Sequence, residues 1–200
     1  MTKYSSKEEK LQRLAQALEE YSAGEHAPLF DRELEQRKAT IRNRALGLLD
    51  HRARSEHELT QRLIAAEFEP ELVTAVVTDL KSCGLVDDEA FAREWVRQRH
   101  HRRGKSKKAL DVELKEKGIA SGVRQLALAA IDEDTEQEKA HELAVKKARS
   151  IKQVPADFSE RQKALARIVG MLARRGYPQH IAMPAAISAL DLRISELQED

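Results

Sequence analysis

Apolar side chains recur at three- and four-residue intervals along most of this chain, interrupted by short polar stretches carrying glycine or proline. That spacing puts them on one face of a helix. Over residues 7–21 the stripe is Leu11, Leu14, Ala15, Leu18 and Tyr21, which predicts a helix, and residues 22–36, with Gly24 and Pro28, read as a linker. From near Thr40, the residues Ile41, Ala45, Leu48 and Leu49 form an inward stripe. Ser55-Glu-His-Glu58 then has capping-box spacing ahead of Leu59, Leu63 and Ile64. Pro70 suits the first turn of a third helix, along which Leu72, Val73, Val76, Val77 and Leu80 run to a left-handed stop at Gly84.

The same order repeats. Asp87-Asp88 opens a helix with Phe91, Trp95 and Val96 inside and Gly104 at its end; Ser106 caps the next, with Leu110, Val112 and Leu114 inside and Gly118 as stop; Val123, Leu126, Ala127 and Ile131 continue the pattern. Thr135-Glu-Gln-Glu138 is read as a third opening, leading through Leu143, Val145 and Ala148 to a turn at Pro155. Ser159-Glu-Arg-Gln162 is read as the cap before Leu165, Ile168, Val169 and Leu172, and Gly176 as the stop. Pro184 falls inside the expected last helix, where a missing N–H predicts a kink or restart. The restarts Glu67-Phe68, Gly118-Ile119 and Gly176-Tyr177 lie 51 and 58 residues apart, a period suited to a three-helix unit. The expected fold is all-α: three tandem three-helix repeats over residues 37–85, 86–133 and 134–200, in an elongated, curved arrangement, preceded by an N-terminal helical arm and linker over residues 1–36. Stacked units of this kind build long surfaces rather than one deep pocket.

Composition agrees with that picture. Charged residues make up 34% of the 200, aromatics only 4%, and no sustained period-two run suggests a strand. The single cysteine, Cys83, excludes an internal disulfide and a cysteine-rich zinc site, and it is read as a small buried apolar residue. No apolar stretch nears the roughly 20 residues needed to span a bilayer, and the N-terminus lacks a signal-peptide core. A soluble cytoplasmic monomer without membrane partners is expected.

Net charge is only +1, but it is unevenly spread. Residues 1–35 hold 5 basic and 8 acidic residues, whereas residues 86–131 hold 11 and 7. The densest run is Arg97-Gln-Arg-His-His-Arg-Arg-Gly-Lys-Ser-Lys-Lys108, in which Arg97, Arg99, Arg102, Arg103, Lys105, Lys107 and Lys108 have no acid among them; Lys115 and Lys117 extend it. A helix end, a loop and a helix start would present these cations at varied angles, as a polyanion requires. The competing reading is a solvated charge run. Smaller basic pairs, Arg52 with Arg54 and Arg174 with Arg175, lie in the outer units. Trp95 shares a helical face with Phe91, which favours core packing over base stacking.

Chemistry is otherwise sparse. His100-His101 with Cys83 lacks the spacing of a metal site, Gly104-Lys105-Ser106 lacks the upstream part of a phosphate loop, and no nucleophile elbow is present. No catalytic residue, metal or cofactor is expected.

The motifs Gly84-Leu-Val-Asp-Asp-Glu-Ala-Phe-Ala92 and Arg103-Gly-Lys-Ser-Lys-Lys-Ala-Leu-Asp-Val-Glu-Leu-Lys-Glu-Lys-Gly-Ile119 resemble the RecX family of regulatory proteins. The likeness extends to Ala45-Leu46 and Arg54-Ser55-x-x-Glu58-Leu59, and more weakly to Ala173-Arg-Arg-Gly-Tyr177. It implies three tandem three-helix repeats that lodge in the groove of the RecA–DNA filament and inhibit ATP hydrolysis, strand exchange and co-protease activity. Recombinational repair and the SOS response would be modulated in turn. It also implies that the cations named above, from Arg52 to Arg175, face the RecA filament and the single-stranded DNA or DNA phosphates within it. Glu67 departs from the family, which often has glycine there, so a different stop geometry is expected; Pro184 is a second departure, and the arm carries no family motif. An autonomous helix-turn-helix-like DNA-binding regulator is the alternative.

Overall fold

A computed structural model describes residues 32–199. The expected helix over residues 7–21 and most of the expected linker lie outside them. Nine helices, and no strand, make up the described residues: α1 (Arg32–His51), α2 (Glu56–Ile64), α3 (Pro70–Ser82), α4 (Asp88–Arg103), α5 (Lys107–Glu116), α6 (Ser121–Leu128), α7 (Glu133–Ala148), α8 (Phe158–Ala173) and α9 (Gln179–Glu199). The helix α1 already runs at Arg32, so the last residues assigned to the linker are helical. Leu34 packs on the first core, which explains why the helix extends that far back.

The nine fall into three groups of three. Within each group every helix packs on the other two, and all the substantial helix-on-helix packing stays inside a group. Each group has its own core: Ile41, Leu59, Leu63, Val73 and Val76 among others in the first, Val96, Leu110, Leu114 and Ile119 in the second, Ile168, Leu172, Ile181 and Leu190 in the third. In α2 and α5 the inward residues are the i, i+4 pairs Leu59 with Leu63 and Leu110 with Leu114. Ile64, Val112 and Leu126, expected inside, are instead 37%, 50% and 73% exposed, because each falls beside the buried stripe of its helix rather than on it. Cys83 is likewise exposed, since it caps α3 beyond the last buried turn.

Caps place the helix starts. Ser55 and Ser106 accept from the N–H of Glu58 and Ala109, and Asp87 from those of Glu89 and Ala90. In the third group the caps are Asp132 and Asp157, not Thr135 and Ser159. Asp132 and Asp157 accept from the N–H of Thr135 and Glu160, three residues on, so the helices begin at Glu133 and Phe158, ahead of the expected caps. The second helix of each group ends alike: the N–H of Phe68, Ile119 and Tyr177 donates to the carbonyl of Leu63, Leu114 and Leu172, five residues back, at 3.4, 3.1 and 3.2 Å. This is a Schellman turn, with its left-handed residue at Glu67, Gly118 and Gly176. Glu67, with φ 64°, therefore adopts the same stop as the glycines, contrary to expectation.

Pro184 neither breaks nor restarts α9. Buried Ile181 and Ala182 before it, and Ala185, Ala186, Ala189 and Leu190 after it, hold both sides of the helix against α7 and α8. Tertiary burial outweighs the lost hydrogen bond.

Candidate functional site

Caps and turns, rather than helix faces, join the groups. At the first junction the Ser55 hydroxyl donates to the carbonyl of Lys117 at 2.7 Å, the N–H of Glu56 donates to Asp88, and Gly118 sits against His57. At the second, the N–H of Ser106 donates to the carbonyl of Arg175 at 3.0 Å, the N–H of Lys107 donates to buried Glu136, and Gly176 sits against Ser106 and Ala109. The two joints are thus built alike, with the start of one group's second helix seated on the Schellman turn of the next. Both serines are fully buried.

The predicted cations divide around these joints. Those at the first are committed. Arg52 grips Glu58 with two bonds of 3.1 and 3.0 Å, and Lys117 reaches the same carboxylate from the second group. Burial would raise the pKa of Glu58, but the hydrogen bonds from Arg52 and Lys117 outweigh it and hold the carboxyl at about 2. Arg54 is 7% exposed and donates through Nε to the carbonyl of Leu48. In the middle group Glu113 collects the indole N–H of Trp95 at 3.0 Å, Lys105 at 3.2 Å and Arg99 at 3.9 Å. The Arg99 guanidinium lies 4.2 Å from the ring centre of Trp95, with the Lys117 ammonium also over the ring. Trp95 stacks on Phe91 but is only half-buried, so it serves as a platform for cations as well as for the core. Arg97 is held by Glu94, and Lys107 by the carbonyl of Ile131.

What remains is concentrated. Arg102, Arg103, Lys108, Lys115 and Arg174 are exposed and make no side-chain hydrogen bond or ion pair among the described residues. Arg102 and Arg103 end α4, where basic residues also favour the helix dipole. Arg175 donates to the carbonyl of Arg103, which brings Arg174 and Arg175 to the end of α4. Lys105 and Lys108 line a groove of about 580 Å³ with Gly176, Tyr177 and Pro178. Four of these five predicted cations therefore lie around the second junction, whose groove Glu113 and Glu116 also line; Lys115 stands further along α5. Tyr177 lies beneath them, its hydroxyl buried without a partner and its pKa raised by that burial and by nearby Glu136.

Local composition located the basic run but not its sorting. Glu113 sits inside the basic stretch and Glu58 was legible only as a capping-box residue, so neither was marked locally as the acid that collects cations across the fold. Ser55 and Ser106 were legible as caps, yet nothing local showed that they also join groups. Among the described residues no three histidine, cysteine or acidic side chains converge as a metal site, and no helix is long and apolar enough to cross a membrane. His100 is buried, with Nδ1 at 3.0 Å from the carbonyl of Lys105.

The fold and this face define a tandem three-helix array that presents free positive charge at one of its joints. The profile of the first three-helix domain of RecX matches residues 42–80, and that of the second matches residues 87–128. A regulatory protein RecX from Corynebacterium efficiens is 50% identical over 194 residues, 95% of this chain and 92% of that protein. One from Mycolicibacterium smegmatis is 40% identical over 73% of this chain and 77% of the relative. The crystal structure of RecX from Lactobacillus salivarius superposes with a TM-score of 0.65 at 23% identity, covering 79% of this chain and 99% of that one, and so shares the fold. The chain belongs to the RecX family of regulatory proteins.

Proposed function

We propose that this chain is a monomeric, non-enzymatic inhibitor of the RecA recombinase that lies along the groove of the RecA–DNA filament and bridges neighbouring protomers. In that position it restrains ATP hydrolysis, strand exchange and co-protease activity, and so modulates recombinational repair and the SOS response in the cytoplasm. Membership of a family of regulators supports the reading, as does a body made of three separately cored groups in series. The observation that carries it is the set of cations left unpaired at the second junction. Exposed pairs contribute little to stability, so free cations gathered on one face are better explained by an anionic partner than by folding.

The test is RecA-dependent ATPase on single-stranded DNA, titrated with the wild-type chain and with Arg102→Glu/Arg103→Glu/Lys108→Glu/Arg174→Glu. Lys107 stays untouched because it holds the carbonyl of Ile131. The wild type should lower the rate. The variant should need about tenfold more protein or worse for the same effect, since four lost charge contacts at even 0.4 kcal/mol each amount to about tenfold, while helical content stays the same. If DNA phosphates are the anions, the salt dependence of binding should also flatten by about 0.7 per lost contact on single strands. Equal inhibition by both proteins would overturn the assignment. So would tight, site-specific duplex binding without RecA that survives raised salt, which would mark an autonomous DNA-binding regulator.

A further inference from the structure

The two joints correspond residue by residue. Ser55 and Ser106 each follow an arginine by three residues, Arg52 and Arg103, and each accepts at 3.1 Å from the N–H three residues on, that of Glu58 or Ala109. Across the joint, Lys117 and Arg175 each precede the left-handed glycine and each offer their carbonyl to the serine. At the first joint these positions close an ion cluster: the Glu58 carboxylate is held by Arg52 from its own group and by Lys117 from the next. At the second joint both cations are in place and the carboxylate is missing. Arg103 stands for Arg52 and Arg175 for Lys117, but Ala109 stands for Glu58. Arg175 reaches over the joint to donate through Nε to the carbonyl of Arg103 at 3.3 Å, and neither guanidinium has an ion-pair partner among the described residues. Glu113 and Glu116 line the adjoining groove, but Glu113 holds Lys105 and the Trp95 indole, and neither acid pairs with Arg103 or Arg175.

Two guanidinium groups brought from different groups to one joint repel each other, and the first joint shows how this architecture settles such charges, with one oxyanion between them. The second joint has to take that oxyanion from outside. Arg102, Lys108 and Arg174 lie around the pair, exposed and without partners, so the positive charge exceeds what one carboxylate neutralises. A nucleic-acid strand brings a charge with every nucleotide, and the parallel N–H donors of a guanidinium match two oxygens of a phosphate. We propose that a phosphate of a single-stranded nucleic acid binds between Arg103 and Arg175, in the place that Glu58 fills at the first joint, with Arg102, Lys108 and Arg174 on neighbouring phosphates. Because Arg103 belongs to the second group and Arg175 to the third, the bound strand completes the joint and fastens the two groups together. The inference rests on the reading of this junction as the face that meets an anionic partner, and it is independent of any effect on RecA.

The missing carboxylate can be supplied from within by Ala109→Glu. Ala109 is half-buried and lines the open groove, and the change gives α5 the Ser-x-x-Glu spacing that opens α2, which favours the helix start. The probe is a fluorescein-labelled oligothymidylate, bound to the full chain at low salt without RecA. Ala109→Glu should bind it about tenfold more weakly than the wild type or worse, whereas Ala109→Gln, of the same size and uncharged, should stay within about twofold. Arg103→Gln should weaken the wild type to a similar extent and add little in the Ala109→Glu background, where the site is already closed. Hydrogen exchange gives a second readout. In the wild type the oligonucleotide should slow exchange at Ser106 and Tyr177, whose amides hold the second joint and its turn, and leave Glu56 at the first joint unchanged. Ala109→Glu should show the slower exchange with no oligonucleotide present. Equal binding by Ala109→Glu and Ala109→Gln would overturn the proposal. So would a wild type that inhibits RecA without binding the oligonucleotide, while Ala109→Glu has lost inhibition; that result would assign the place to a carboxylate of a protein partner. The expected binding and exchange without any effect on RecA ATPase would support the joint site and sink the RecA reading alone.

Discussion

The left-handed residue that ends the second helix is glycine in two groups and glutamate in the other, and the neighbours explain why. A Cβ on Gly118 would lie 2.3 Å from the Cβ of His57, and one on Gly176 would lie 2.6 Å from the Ala109 Cβ and the Ser106 Oγ. Both glycines are required by close approach of the preceding group as well as by a positive φ. Glu67 has no preceding group against it among the described residues, so only the conformational cost of its φ of 64° remains, roughly 1–2 kcal/mol. Glu67→Gly should therefore leave stability level or raise it by up to about 1 kcal/mol, the relief of strain being partly offset by the freer unfolded chain. Gly118→Ala should cost about 2–4 kcal/mol, because strain and overpacking add. Opposite signs in urea melts check the explanation; a similar small effect from both would refute it. The stop positions themselves were legible, because glycine followed by a branched or aromatic residue is a local signal. The reason Glu67 is tolerated was not, because it depends on what lies across the joint.

Helices longer than a few turns are governed by burial more than by local breakers. In α9 the sequence marks Pro184 as an interruption, yet the helix continues, because the residues on both sides of it are pressed into the third core. Pro184 itself is exposed and forfeits the bond its N–H would have made to the carbonyl of His180. An interior proline costs about 3 kcal/mol relative to alanine in a free helix, and about half of that is expected at an exposed site on a packed helix. Pro184→Ala should stabilise the protein by about 1–2 kcal/mol, with no packing lost to offset the gain; a melting temperature equal to or below that of the wild type would show that the proline also fits a required bend. The same rule accounts for the other misread positions. Periodicity gave the i, i+4 residues Leu59 with Leu63 and Leu110 with Leu114 correctly, and went wrong at Ile64 and Val112, one or two positions off those pairs. A hydrophobic residue is a candidate for the core by type, but its angle around the helix decides.

At the scale of the whole molecule, three separate cores are made into one body by a few polar contacts, so its rigidity is open to titration. The first joint depends most on Glu58, which receives Arg52 from its own group and Lys117 from the next while Ser55, the cap three residues earlier, holds the carbonyl of Lys117. The folded carboxyl titrates at about 2 against an ordinary value of 4.5, so the folded state binds its proton less readily than the unfolded chain. A depressed folded pKa contributes stability that is fully present above about pH 5 and is lost as pH falls through the ordinary carboxylate range toward 2. Glu58 keeps some solvent contact, and screening leaves about 1–2 kcal/mol of stability from its pairs. Glu58→Gln, which keeps the shape and removes the charge, should be less stable than the wild type by that amount at pH 7. The gap should close as the pH is lowered from about 5 to about 2, because the wild type then carries a neutral carboxyl too. The loss should concentrate at the joint: hydrogen exchange at pH 7 should rise around Glu58 and Gly118 in the variant, with the cores at Ile168 and Leu172 unchanged. A gap that stays constant across that pH range would mean that the joint is held by Ser55 and Gly118 alone, and that the ion pairs between the groups are incidental.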